Sequence, residues 1–82
     1  MGGDYGNPIY LVFECVGYGN QQIQTYDKIK LRDSLNKVAK RMGIALSQIN
    51  GIQYRYSTLS LNSSAMDNNI PNGGVITIKL KS

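Results

Sequence analysis

The sequence of 82 residues contains no histidine and a single cysteine, Cys15. A disulfide within the chain is therefore impossible, and zinc sites built from clusters of Cys and His are excluded. Nucleophilic catalysis by a Cys–His or Ser–His pair is excluded as well, because the usual general base is missing. We expect neither a bound metal nor a cofactor.

Carboxylates are also scarce, so the side chains that most enzymes use for acid–base chemistry are few. No two of them are paired at a helical or strand spacing that would place them together. We therefore expect a protein that is not an enzyme. The five carboxylates are Asp4, Glu14, Asp27, Asp33 and Asp67.

Long apolar runs are absent too. The longest, residues 9–13, has the length of a strand and falls far short of the roughly 18 residues that a membrane-spanning helix needs. No basic leader with a small-residue cleavage site precedes it, as a secretory signal would require. We expect a cytoplasmic protein that does not enter a membrane.

What the chain does contain is typical of one small folded domain. Apolar residues make up 41% and charged residues 17%, a balance that favours a compact fold over disorder. The glycine-rich residues 1–8, "MGGDYGNP", are interpreted as a flexible leader, and residues 9–82 as the domain. The net charge of +4 attracts acidic partners weakly and does not choose among them.

The first half of the domain predicts a hairpin of two strands. In "IYLVFECV" (9–16) the residues at odd positions form one face, on which Cys15 is expected as a small buried hydrophobe. "GYGN" (17–20) predicts a turn, because glycine adopts positive φ without steric cost. Residues 21–30 then predict a second strand, since Ile23, Thr25 and Tyr26 have strand propensity.

The segment "LRDSLNKVAKRMG" predicts a helix that ends at Gly43 in a left-handed cap. Its apolar residues recur at helical spacing and form one stripe: Leu31, Leu35, Val38, Ala39 and Met42. In the loop that follows, Ile44, Leu46 and Ile49 are expected to point inward.

The second half predicts the remaining strands. "GIQYRYSTLSL" (51–61) places Ile52, Tyr54 and Tyr56 on one face of a strand, with a short further strand at 59–61. In the polar loop that follows, Ile70 is expected to reach the core, and "NGG" is the turn before the last strand. "VITIKLKS" alternates cleanly, with Ile76, Ile78 and Leu80 facing the core.

This order of elements predicts an α+β roll, in which one helix packs across a mixed sheet of four to five strands. If the last strand pairs beside the first, both ends of the domain lie in the middle of the sheet. The alternating C-terminal run is then a core strand.

The pattern over residues 9–81 resembles the ubiquitin-like proteins of the β-grasp fold, and especially the small ubiquitin-like modifiers. "LRDSLNKVAKRMGIALSQI" (31–49) is similar to their helix and the loop after it, and "IQYRYSTLSL" to their third strand and its short successor. "IPNGGVITIKLKS" is similar to the last loop and strand of ubiquitin. Conjugated members end in Gly-Gly, whereas this sequence stops at Ser82, so conjugation is not expected of the chain as given.

The resemblance implies two binding surfaces. One is the exposed sheet face, where the corresponding residues and their neighbours are Tyr10, Val12, Arg55, Lys79 and Lys81. The other is a groove between the second strand and the helix, where the modifiers bind an extended apolar peptide as an added strand with acidic flanks. On this chain its candidate residues are Ile23, Thr25, Tyr26 and Arg41.

Three functions follow as hypotheses. The leading one is a non-enzymatic ubiquitin-like module for protein–protein interaction, a docking or accessory component of a complex. The first alternative is a modifier or sulfur carrier whose Gly-Gly tail is missing from this chain. The second is a weak nucleic-acid binder that uses the basic, Tyr-containing sheet face. We expect a protein partner rather than nucleic acid, and a chain that is monomeric on its own.

Overall fold

The computed structural model describes residues 3–82, which form five strands and one α-helix. Short 3-10 turns lie at Gly3–Tyr5 and Leu46–Gln48. The regular elements in chain order are β1 (Pro8–Cys15), β2 (Gly19–Tyr26), α1 (Leu31–Met42), β3 (Ile49–Tyr54), β4 (Ser57–Leu59) and β5 (Gly74–Leu80).

The strands form one mixed sheet in the order β2-β1-β5-β3-β4. The last strand, β5, runs parallel to β1 on one side and antiparallel to β3 on the other. The predicted α+β roll is confirmed, with the first and last strands adjacent in the middle of the sheet. Because β1 and β5 are paired on both sides, the two edges are β2 and β4.

The core lies between α1 and one face of the sheet. The alternating residues of β1 and β5 that were predicted to face inward are buried there, including Cys15, although Leu80 is only partly buried. The predicted helix stripe is confirmed, because Leu31, Leu35, Val38 and Ala39 are buried and Met42 packs against them.

The ends of α1 follow from local chemistry. Gly43 adopts φ 76 and ψ 28, the left-handed conformation that glycine reaches without a Cβ clash, and its N–H bonds to the last turn. The predicted cap is confirmed. Lys30 at the other end offers no side-chain cap, and the N–H groups of Leu31 and Arg32 donate instead to the carbonyls of Ser63 and Leu61 at 2.8 and 3.0 Å.

The predicted strand through Tyr56 is wrong, because β3 ends at Tyr54. Arg55 and Tyr56 have positive φ values of 52° and 69° and form the two-residue turn that connects β3 to β4. Tyr56 is 96% exposed in this turn. The short strand accordingly begins at Ser57, two residues before the start predicted from the sequence.

Leu46 also departs from its prediction. It lies in the 3-10 turn Leu46–Gln48 and is 52% exposed, whereas Ile44 is buried and Ile49 packs against the core. The turn is closed by the Gln48 N–H, which donates to the Ala45 carbonyl at 2.9 Å. This tight turn directs Leu46 to solvent, while the residues on either side of the turn pack inward.

The expected flexible leader, residues 1–8, is described from Gly3 onward; residues 1 and 2 lie outside the described part. Within it, Tyr5 and Asn7 are hydrogen-bonded to the segment that follows β2. The N–H groups of Lys28 and Asp27 donate to the carbonyls of Tyr5 and Asn7 at 3.0 and 2.9 Å. These bonds continue the β1–β2 pairing beyond the Pro8 and Tyr26 partners. The sequence did not reveal them because they join segments 20 or more residues apart.

α1 is far shorter than the roughly 18 residues of a membrane-spanning segment. Among residues 3–82, no helix is both long and apolar enough to cross a bilayer.

Candidate functional site

The free edge of β2 exposes backbone hydrogen-bonding groups. The N–H and C=O of Tyr10 are taken by Asn72 and Gly73 on the β5 side, so the odd-numbered residues of β1 bond to β2. Because neighbouring residues of a strand face opposite sides, the N–H and C=O groups of Gln22 and Gln24 point away from the sheet. This edge can accept one more strand.

Nothing in the β2 sequence blocks that edge. Natural edge strands are usually protected by a charged side chain, a proline or a bulge. The strand "GNQQIQTY" carries no charge and no proline, and it pairs with β1 over eight consecutive residues without a register shift. Such an edge is suited to pairing with another chain.

A groove runs beside the second half of this edge, between β2 and α1. Its volume is about 590 Å³, and it is open to solvent along its length. The rings of Tyr5 and Tyr26 lie 5.9 Å apart at an angle of 39° and form part of its wall. The groove is lined by Tyr5, Gln24, Thr25, Tyr26, Ile29, Asp33, Asn36 and Lys37.

The four predicted groove residues are only partly brought together. Thr25 and Tyr26 line the groove. Ile23 does not, because its side chain faces the helix and is 4% exposed. Arg41 lies farther along the edge, where its Nη1 donates to the carbonyl of Gln22 over a long distance of 3.4 Å.

Sequence reasoning missed part of the groove. Tyr5 was assigned to the leader, and its position beside Tyr26 follows only from the register of β1 and β2. The helix residues carried a usable signal, because Asp33, Asn36 and Lys37 are spaced by three and four residues and therefore share one side of α1. That side borders the buried stripe.

The predicted sheet-face residues are spread more widely than expected. Tyr10, Val12 and Lys79 lie on the face opposite α1. Arg55 lies in the turn after β3, with its guanidinium carbon 5.4 Å from the centre of the Tyr54 ring. Lys81 follows the end of β5, where its backbone N–H donates to the Gln48 carbonyl at 2.8 Å.

The centre of this face is apolar and neutral rather than basic. Val75, which was not among the candidates, pairs with Val12 and leaves 44% of its surface exposed. Next to them the hydroxyl of Thr77 donates to Glu14 Oε2 at 3.1 Å. Lys79 shares this face of the sheet with the acidic Glu14. The positive charge of the chain is therefore not concentrated on this face. Six of the nine cations lie within residues 28–41, in and just before α1.

The one thiol lies inside the core. Cys15 is buried at the end of β1, and this burial raises the pKa of the thiol because the thiolate would lose its hydration. The neutral form therefore persists to higher pH than in a free cysteine. Among residues 3–82, no group of three or more His, Cys, Asp and Glu side chains could hold a metal.

We expect Cys15 to react slowly with iodoacetamide. At pH 8 the rate in the folded protein should be at least about tenfold below the rate in guanidinium, because both access and thiolate formation require opening of the core. Mass spectrometry of timed samples measures both rates. Equal rates would show that Cys15 is reachable in the folded state.

No known sequence family and no curated protein matches the chain. A solved structure of a protein designed on the basis of ubiquitin is similar with a TM-score of 0.80 at 13% identity, covering 93% of this chain and 92% of that one. The chain has a ubiquitin-like β-grasp fold. A second structure, described as molecular mimicry of SUMO that promotes DNA repair, gives a TM-score of 0.78 at 11% identity, with 90% and 92% coverage.

The ubiquitin-like fold accounts for the position of the groove. In this fold β2 is an edge strand and α1 crosses the sheet beside it, so the free edge and the side of the helix are adjacent. At 11–13% identity the likeness establishes the fold, and a function must be argued from the residues at this edge.

Proposed function

We propose that this chain is a non-enzymatic protein interaction module that binds an extended segment of a partner protein as a strand added to β2. The observation that carries the proposal is the unblocked edge, where the N–H and C=O groups of Gln22 and Gln24 face outward. Similarity to a structure described as molecular mimicry of SUMO supports a role in protein interactions. The module would act as a docking or accessory component of a complex.

Side-chain selectivity would come from the groove. Alternate side chains of an added strand project toward α1, where Ile29 and the aromatic rings of Tyr5 and Tyr26 offer apolar contact. Lys37 and Arg41 lie along the same side, so acidic residues flanking an apolar core would be favoured there.

The first test uses a synthetic peptide with a Val-Ile-Val-Ile core followed by three Asp residues, added to isotope-labelled protein. We expect NMR shift changes to concentrate at the amides of Gln22, Gln24 and Tyr26. Gln24→Pro should weaken binding about tenfold or more, because it removes an outward N–H that the added strand needs. The fold should survive, since that N–H makes no bond within the sheet.

A matched control lies on the opposite edge. Thr58 is exposed in β4, and its N–H faces away from β3 because the Tyr54–Ser57 pair closes the two-residue turn. Thr58→Pro should leave peptide binding unchanged. Shift changes centred on Val12 and Val75 would overturn the proposal in favour of the sheet face. Equal loss with both proline variants would overturn it too, because the loss would then not depend on the β2 edge.

A further inference from the structure

The edge of β2 is complementary to itself as well as to an extended peptide. We propose that, without a partner, two copies of this chain pair through antiparallel β2 strands related by a two-fold axis. Gln24 then lies opposite its own copy, and Gln22 lies opposite Tyr26 of the second copy. This inference rests on the proposed function in using the same edge, and it departs from the monomer expected from the sequence.

The strand itself permits such a pair. In a two-fold arrangement each contact occurs twice, so a charge at the centre of the strand would meet its own copy. All residues from Gly19 to Tyr26 are uncharged, and no such repulsion arises within the strand. With Gln24 at the axis, the outward N–H and C=O groups of Gln22 and Gln24 and the outward N–H of Tyr26 face one another, as an antiparallel ladder requires. The Tyr26 carbonyl already accepts from the Ile29 N–H at 3.1 Å, so it must offer Gln22 of the second copy its other lone pair.

The charges on α1 favour a second copy over an arbitrary strand. α1 runs antiparallel to β2, because Arg41 contacts Gln22 while Asp33 lines the groove with Tyr26. Asp33 and Arg41 are separated by about 12 Å of helix rise, and Gln22 and Tyr26 by about 13 Å of strand. The two spacings match. Measured along the strands, the two-fold axis through Gln24 therefore places Arg41 of each copy level with Asp33 of the other.

Two features limit the strength of this dimer. Arg41 must leave the Gln22 carbonyl, which costs little because the contact is 3.4 Å long. Lys37 lies midway between Asp33 and Arg41 and faces its own copy across the axis, which is an unfavourable contact between like charges. A single added strand pair with a narrow helix contact belongs to the class of small, weak interfaces. A partner strand would compete for the same edge and release the monomer.

Charge exchange tests the pairing directly. Light scattering coupled to gel filtration, run from about 10 µM to 1 mM, measures the mass of each sample across the range of weak affinities. We expect Asp33→Arg and Arg41→Asp each to weaken dimerisation about tenfold or more, since each places like charges in both contacts. An equimolar mixture of the two variants should dimerise again, because every contact then joins opposite charges. The Lys37→Gln protein should form a tighter dimer than the wild type, because the like charges at the axis are removed.

Control variants separate this inference from the proposed function. Lys40→Asp makes the same charge change in the same helical turn as Arg41→Asp, and it should not weaken the dimer. A wild-type chain that is still monomeric at about 1 mM, the top of the weak-affinity range, or a mixture that fails to recover, overturns the dimer. If the Val-Ile peptide still binds at Gln24 in that case, the proposed function stands. If the mixture recovers but the peptide never binds, the dimer stands and the proposed function falls.

Discussion

Replacing Phe13 with alanine is expected to lower the free energy of unfolding by about 3–5 kcal/mol. Phe13 is 0% exposed and is the largest fully buried side chain among the described residues. It lies in the central strand β1, where Gln21 of β2 and Ile76 of β5 are its neighbours. A rigid, fully paired strand cannot move in to fill the space, so the cavity persists.

The size of the domain makes this loss decisive. A domain of 82 residues has a stability of about 4–12 kcal/mol, so the substitution removes a quarter or more of it. The melting temperature should fall by about 12–40 °C, measured by circular dichroism or calorimetry. Val16→Ala is the control, because Val16 is 93% exposed just after the same strand and should change the stability by less than about 0.5 kcal/mol. Similar losses for both variants would show that Phe13 is not in the core.

The elements predicted best are those in which local pattern and burial agree. The stripe from Leu31 to Met42 repeats at the helical period, and Gly43 supplies the left-handed cap, so the pattern marked both the packed face and the end of α1. In β5 the alternation of Ile76 and Ile78 with Thr77 identified the inward face. Each of these signals lies within a dozen residues of sequence.

The features that were missed depend on backbone conformations or contacts that cannot be inferred from the residues next to them in the sequence. Arg55 and Tyr56 turn with positive φ, which is uncommon for residues with large side chains, and the strand propensity of Tyr54 and Tyr56 suggested a continued strand. Leu46 is apolar but is turned outward by a 3-10 turn closed on Ala45. In both places the backbone conformation, and not the residue type, determines whether the side chain faces the core or the solvent.

The residues of the candidate site also fall into those that the sequence could identify and those that it could not. Thr25 and Tyr26 were found through the resemblance and lie in the groove. Ile23 could have been assigned to the core from alternation alone, because its neighbours Gln22 and Gln24 are polar and exposed while Ile23 is buried. Tyr5 could not be found, since its place in the groove depends on the hydrogen bonds that Tyr5 and Asn7 make just after β2 and on the contact between the rings of Tyr5 and Tyr26.

Adding one methyl group at Gly74 is expected to lower the free energy of unfolding by about 1–3 kcal/mol. Gly74 begins β5 and is buried opposite Leu11 of β1. A Cβ there would run into the Ile70 side chain and lie 3.1 Å from the Pro71 carbonyl oxygen. Because Ile70 is itself buried and anchors the polar loop, it cannot give way without opening the core. Gly74→Ala should therefore lower the melting temperature by roughly 4–8 °C for each kcal/mol lost.

Gly51→Ala separates this steric effect from a general effect of replacing a strand glycine. Gly51 lies in β3, where a Cβ would meet nothing within 4 Å, and its φ is not positive. The alanine should leave stability unchanged or raise it by about 0.4–1 kcal/mol, because it reduces the freedom of the unfolded chain. Opposite signs for the two variants would place the constraint in the contact between the "NGG" turn and Ile70, which aligns β5 for its parallel pairing with β1. A Gly74→Ala protein as stable as Gly51→Ala would mean that this turn tolerates a side chain and does not fix the start of β5.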